Sequence, residues 1–351
     1  MLSTSRNRSR FARGTAAAVL ITGALGACSS PDDGGSGTGG NATGAATPAR
    51  KAVGAPQVPA HALTGYWQNF TNGAAVEKLR DVSDAYDIIA VSFADLAGER
   101  GQVGFTLNSK ALGGYTVEEF KADIKAKQKA GKSVIISVGG EDGKVEVDDG
   151  ETSKRFTDSV LALMKEYGFD GVDIDLENGL SAEYMTRSLK ALHQKAGAKL
   201  VVTMAPQTVD MQSPDSDYFK TALNTKEFLT VVNTQYYNSG SMKGCDGETY
   251  QQGSVDFITA LACIQLESGL DPSQVGLGLP TNKRNEKAGY VKPAVVNNAL
   301  DCLSKGTGCG KFKPAKTYPG LRGAMAWSTN WDATDGHEWS KSVGGHVRAM
   351  R

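Results

Sequence analysis

Several features that usually announce a protein's class are missing or scarce here. Lys and Arg together number 38 and Asp and Glu together 38 in 351 residues, so the chain has no cationic excess. Binding driven by nucleic-acid phosphates needs a basic patch or stripe, so no nucleic-acid partner is expected. The five Cys include no C-x-x-C pair and the four His are scattered, which argues against a zinc site. No metal and no cofactor are expected. The first β-like run leads into "GYWQNFTNG", which is aromatic where a dinucleotide-binding sheet would carry a Gly-rich phosphate turn. No internal repeat and no second folded domain are visible, and no apolar run is long enough to span a membrane stably. What remains, 40% apolar and 22% charged, is the composition of a soluble protein with a sizeable core.

The first 28 residues contain no acid, carry Arg6, Arg8, Arg10 and Arg13, and continue into an apolar run from Gly14 to Ala27. This is the layout of a secretory signal. Its end, Leu25-Gly26-Ala27-Cys28, resembles the lipobox of bacterial lipoproteins. That resemblance implies that Cys28 is lipidated and holds the protein on the outer face of a membrane, membrane contact being through this anchor alone. From Ser29 to Pro59 the chain is Gly, Ser, Thr, Ala, Pro and Asp rich, without aromatic residues, and reads as a flexible tether. Residues 60–351 then form one folded domain, expected to be a monomer. Without the first 28 residues, 34 basic residues face 38 acidic ones, a formal charge of −4 that suits a neutral or cationic polymer.

With Cys28 set aside, Cys245, Cys263, Cys302 and Cys309 form an even set in an oxidising compartment. Of three possible pairings, the short separations favour Cys245 with Cys263 and Cys302 with Cys309. Such bridges staple loops and carry no chemistry.

Eight β-like runs, at 62–70, 87–94, 132–140, 169–177, 199–207, 228–238, 274–280 and 321–328, alternate with helical stretches. "TVEEFKADIKAKQKAG" has early acids, late lysines and a closing Gly131, and "ETSKRFTDSVLALMKEYG" repeats the layout with Gly168. Eight strands alternating with helices predict an α/β fold, a (β/α)8 TIM barrel.

The fourth run, "FDGVDIDLEN", packs four acids into ten positions. Strand alternation points Asp173, Asp175 and Glu177 one way and Val172, Ile174 and Leu176 the other. In a barrel the aliphatic set packs against helices while the acids line the interior. Three carboxyls this close in a low-dielectric interior repel, so at least one holds a proton near neutral pH. A general acid needs a proton of this kind, and Glu177, last at the C-terminal mouth, is the natural donor. Asp170 has the opposite parity and reads as structural, near the strand's start. A calcium loop would want Gly where Asn178 stands and Glu where Tyr184 stands.

The D-x-x-D-x-D-x-E pattern of Asp170, Asp173, Asp175 and Glu177 resembles the catalytic strand of glycoside hydrolase family 18, the chitinases. The preceding strand carries Ser137-Val138-Gly139-Gly140 in the family's S-x-G-G pattern. "MAPQ" (204–207), "QYYN" (235–238) and "MAWS" with Trp327 are similar too, in family order, across about residues 61–345. The match is best to secreted bacterial members of Streptomyces type.

The resemblance implies hydrolysis of internal β-1,4 bonds in N-acetylglucosamine polymers, with chitin or chitooligosaccharides as partner. It also implies a retaining reaction in which the substrate's own 2-acetamido group forms an oxazolinium ion. Glu177 then acts as general acid and base, Asp175 binds the acetamido N–H, Asp173 shares a proton with Asp175, and Tyr237 donates to the acetamido oxygen. Trp327 is the floor beneath the −1 sugar. Tyr66, Met204, Gln207, Gln235 and Asn238 are further expected substrate contacts, and Ser137, Gly139 and Gly140 let their strand approach the acids. Trp67, Trp331 and Trp339 read as core or as extensions of the sugar cleft. The other readings are an endo-β-N-acetylglucosaminidase acting on N-glycans and a non-catalytic chitin-binding lectin.

Overall fold

A computed structural model describes residues 58–286 and 288–350. The signal segment 1–28, its Cys28 and the tether as far as residue 57 lie outside the described residues. Along the chain the strands are β1 (Ala62–Gln68), β2 (Ile88–Leu96), β3 (Val103–Gly104), β4 (Ser133–Gly139), β5 (Gly171–Asp175), β6 (Val201–Met204), β7 (Val231–Gln235), β8 (Ser241–Lys243), β9 (Thr249–Gln251), β10 (Val275–Pro280) and β11 (Gly323–Trp327). The helices are α1 (Val117–Lys129), α2 (Gly150–Tyr167), α3 (Ala182–Ala196), α4 (Asp217–Asn224), α5 (Val255–Glu267), α6 (Pro293–Lys305), α7 (Thr329–Thr334) and α8 (Glu338–Ala349).

Eight of the strands pair in parallel in the order β1, β11, β10, β7, β6, β5, β4, β2, and β2 pairs back onto β1 to close the barrel. All eight runs expected from sequence become these strands. Sequence reading did not foresee the two small additions: β3 pairs antiparallel with β2, and β8 with β9 forms a separate hairpin. The helix boundaries follow local chemistry. Thr116 caps α1, its hydroxyl accepting from the Glu119 amide while the Glu119 carboxylate accepts from the Thr116 amide. Gly168 ends α2 in the left-handed conformation that glycine takes readily.

Strand alternation divides the core into two shells. Residues such as Val172, Ile174, Leu277 and Ala324 pack outward against helix side chains including Phe156, Leu189 and Leu300. The inward shell is apolar towards one end, with Ile88, Ala90, Ile135, Val201, Val231 and Met325. Towards the C-terminal ends of the strands it becomes polar, where Ser137, Asp173, Asp175, Thr203 and Gln235 are buried. Filling by side chains makes the barrel a solid platform and leaves chemistry to its upper rim.

At the opposite end Arg322, just before β11, donates to the carbonyls of Pro59, Ser273 and Thr230. Burial lowers its pKa to about 10. Val58 packs beside the inner shell, so the last two residues assigned to the tether already belong to the barrel. Two disulfides, Cys245–Cys263 and Cys302–Cys309, join the cysteines as the short separations favoured.

Candidate active site

A cavity of about 810 Å³ opens at the C-terminal ends of the strands, and Asp175, Glu177, Gln207, Gln235, Tyr237, Asn238 and Trp327 line it. Beneath them Asp173 is fully buried and holds three hydroxyl donors. Tyr66 and Ser137 each donate to its Oδ2 at 2.7 Å, and Thr203 to its Oδ1 at 2.5 Å. Burial raises the pKa of Asp173 and these three hydrogen bonds oppose the rise.

Asp175 is pushed much further up. Burial is the largest cause, followed by the neighbouring charges of Glu177 and Asp173, against one opposing hydrogen bond from Gln235. The rise disfavours the charged form of Asp175 in the folded protein. The three hydroxyls hold the Asp173 carboxyl in place directly beneath Asp175. Gln235 ties the outer pair together, its Nε2 donating to Asp175 Oδ1 at 3.0 Å and Glu177 Oε1 at 3.2 Å. Gln207 Nε2 donates to Glu177 Oε2 at 3.1 Å.

The backbone explains how acids fit so tightly. Gly139 pairs with Asp175, and a Cβ on it would lie 2.2 Å from the Asp175 carbonyl oxygen; its φ of +114° also suits only glycine. The Gly140 amide donates to that same carbonyl at 2.7 Å. Where β5 ends, Tyr218 accepts from the Leu176 amide at 2.7 Å and donates to the Ile174 carbonyl, which fixes the departure of Glu177. Asp170 stays outside the cleft, its Oδ2 accepting from the Val134 amide at 2.8 Å.

Two expected substrate contacts, Met204 and Tyr66, are not among the residues that line the cavity. Met204 is 0% exposed and packs in the outer shell, because Thr203 takes the inward parity on β6. Tyr66 is also 0% exposed and lies under the site, supporting Asp173 without reaching the cavity. Burial, then the charge of Asp173, raises its pKa well above the usual phenol value, so it remains a donor. Tyr237 does line the cavity, and burial first, then Glu286, Asp175 and Glu177, keeps its hydroxyl protonated. Asn238 is exposed at the rim, with its amide already bonded to Glu286. Trp67 and Trp339 are core residues, and Trp331 is buried beside Arg284.

Sequence reading missed several lining residues. Phe93 lies 5.7 Å from Trp327 and Phe70 lies 6.4 Å from Phe93, ring centre to ring centre, with neighbouring planes inclined by 26° and 18°. Together they make a continuous aromatic wall of the cavity. Thr203 was discoverable from parity, two residues after inward Val201. Glu286 and Asn285 sit in a segment without periodicity, so no pattern marked them.

The arrangement supplies a buried carboxyl with a raised pKa next to a partly exposed second carboxyl, amide and phenol donors around both, and flat aromatic surface beside them. It is suited to acid–base attack on a polyhydroxylated ring. The profile of the Glycosyl hydrolases family 18 matches residues 62–342. A crystal structure of a Streptomyces coelicolor protein provisionally named Chitinase A is 66% identical with a TM-score of 0.82, covering 83% of this chain and 99% of that one. A family 18 chitinase from Chromobacterium violaceum is 34% identical with a TM-score of 0.75, covering 83% and 85%. Chitinase D of Niallia circulans is 37% identical over 321 residues, 80% of this chain and 60% of that protein. This chain thus spans about 60% of the length of such curated relatives.

Proposed function

This chain belongs to family 18 of the glycosyl hydrolases, and from that premise we propose that it hydrolyses internal β-1,4 bonds of N-acetylglucosamine polymers with retention of configuration. The observation that carries the reading is the row of carboxyls at the cleft, Asp175 and Glu177 bridged by Gln235 Nε2 above a hydroxyl-bound Asp173. When a sugar enters, its acetamido N–H takes Asp175 as acceptor and the shared proton is left on Glu177. The acetamido oxygen attacks the anomeric carbon, the glycosidic C–O bond breaks, and the departing oxygen takes the proton of Glu177. Water then adds to the same carbon, giving a proton back to Glu177 and reopening the oxazolinium ring. Tyr237, still protonated, donates to the acetamido oxygen, and Trp327 supplies a flat floor for the ring.

Attack at internal bonds is supported by α6, which lies on the barrel's outside beside α5 and α8, so that between β10 and β11 only the short stretch with Asn285 and Glu286 borders the cleft. The test is product analysis on short chitooligosaccharides by proton NMR during the first turnovers. β-Anomeric products from several internal positions are expected; α-anomers, or release of glycans from a glycoprotein with chitooligosaccharides untouched, would refute the reading. We also propose secretion with anchoring through Cys28, supported by Arg6 to Arg13, the Gly14–Ala27 run and Leu25-Gly26-Ala27-Cys28. Substituting Cys28→Ala and measuring the membrane-bound fraction checks this, with unchanged membrane association as the contrary result.

A further inference from the structure

Just beyond β7 the chain makes a clasp with the segment that follows β10. Asn238, next to Tyr237, sits at φ +51°, a left-handed conformation that Asn tolerates better than most residues with a side chain. From there it forms three hydrogen bonds to residues 286–288. Its Nδ2 donates to Glu286 Oε2 at 2.6 Å, its Oδ1 accepts from the Ala288 amide at 3.0 Å, and its own amide donates to the Ala288 carbonyl at 3.0 Å. The clasped segment lies directly on the tyrosine: a Cβ on Gly289 would stand 2.6 Å from Tyr237 Cα and 2.8 Å from Tyr237 Cβ. On the far side of Asn238, the Ser239 hydroxyl donates to the Tyr237 carbonyl at 2.6 Å. The backbone of Tyr237 is thus held from two directions while its side chain lines the cavity.

From this geometry we propose that Asn238 is a positioning residue for Tyr237: its side chain holds the 286–289 segment against the tyrosine backbone and so sets where the phenol meets the substrate's acetamido group. The inference rests on the function proposed above, and it gives Asn238 a role other than the sugar contact expected from sequence. The position makes three demands at once. Its backbone needs a residue at ease with positive φ, the Glu286 carboxylate needs an N–H donor, and the Ala288 amide needs an acceptor. Asn meets all three, and its bond to the carboxylate is of the charge-assisted type, roughly twice as strong as a neutral one. Glycine meets only the first. Asp would set a second carboxylate against Glu286, whose pKa is already raised by burial and by the charges of Glu141 and Glu177. A loosened clasp lets the phenol drift from the oxygen it serves in the transition state, so the loss falls on kcat more than on KM.

The test compares wild type with Asn238→Gly, which keeps the left-handed backbone and deletes the side-chain clasp, on a tetrameric chitooligosaccharide. kcat is expected to fall about tenfold, the scale of one hydrogen bond to a charged group, while KM stays within about threefold. In a Tyr237→Phe background Asn238→Gly should cost less than about twofold more, because coupled partners are not additive. A direct sugar contact would keep its full cost there. Asn238→Asp should be impaired at about pH 7 and recover towards wild type at about pH 5, where the new carboxyl and Glu286 take up a proton between them. Hydrogen exchange at the Ala288 amide, followed without substrate, should be about tenfold faster in Asn238→Gly. An unchanged kcat, full additivity with Tyr237→Phe, an Asn238→Asp deficit that is the same at both pH values, or unchanged exchange overturns the inference. Should Asn238→Gly fail to fold, Asn238→Asp and its recovery in acid decide the matter. Wild type that leaves chitooligosaccharides intact would instead remove the proposed function; the exchange measurement needs no turnover, so the two failures are distinct.

Discussion

Glu77, outside the catalytic cleft, sets a pH dependence of stability that follows directly from its surroundings. Its side chain is 7% exposed, and its Oε1 has no hydrogen-bond partner among the described residues. Burial raises its pKa from 4.5 to about 7; the Thr329 hydroxyl and Lys127 work against the rise, and Asp332 and Asp81 add to it. A rise of that size corresponds to about 3 kcal/mol of preference for the protonated form in the folded state. Because the folded pKa is raised above the unfolded one, this stability is fully present below about pH 4.5. It is lost as pH climbs towards 7, and is constant again above that. Glu77→Gln mimics the neutral form at every pH. Urea denaturation of both proteins at pH 4.5 and pH 8 should give a difference between them that changes by about 3 kcal/mol in favour of the variant at the higher pH. A difference that is the same at both pH values would show that Glu77 does not change its protonation on folding, and would refute the reasoning.

Three further predictions concern the site. Glu177→Gln is expected to lower kcat by about 10²-fold or more while chitooligosaccharide binding survives, measured by steady-state kinetics and calorimetry; retained turnover would remove its acid–base role. Tyr66→Phe deletes one of the three donors that oppose the raised pKa of Asp173. That pKa should climb further and the acidic limb of the kcat profile should move to higher pH, with an unmoved limb as the contrary outcome. Gly139→Ala forces a Cβ against the Asp175 carbonyl at a φ that only glycine accepts readily. Displacing the acid by even an ångström should cost on the order of 10²-fold in kcat/KM, and wild-type kinetics in a folded variant would contradict the packing argument.

Much of the fold was legible because strand periodicity is local. Eight apolar runs with helices between them became eight parallel strands, and the parity of "FDGVDIDLEN" correctly separated inward Asp173 and Asp175 from outward Val172 and Ile174. Parity applied one strand later would have rejected Met204 and chosen Thr203. Asp170 sits at its strand's start, as its opposite parity required.

What the sequence by itself determined is therefore the order of the elements and the face each side chain takes, since both depend on neighbours within a few positions. Barrel closure alone decided which residues meet across that interior. Tyr66 reaches Asp173 over 107 positions, Gln235 reaches Asp175 over 60, and Glu286 reaches Asn238 over 48. Those encounters set the surroundings of the carboxyls and the direction in which their pKa values shift. No local pattern encodes them, because burial and neighbouring charge are properties of the assembled barrel and not of any one strand.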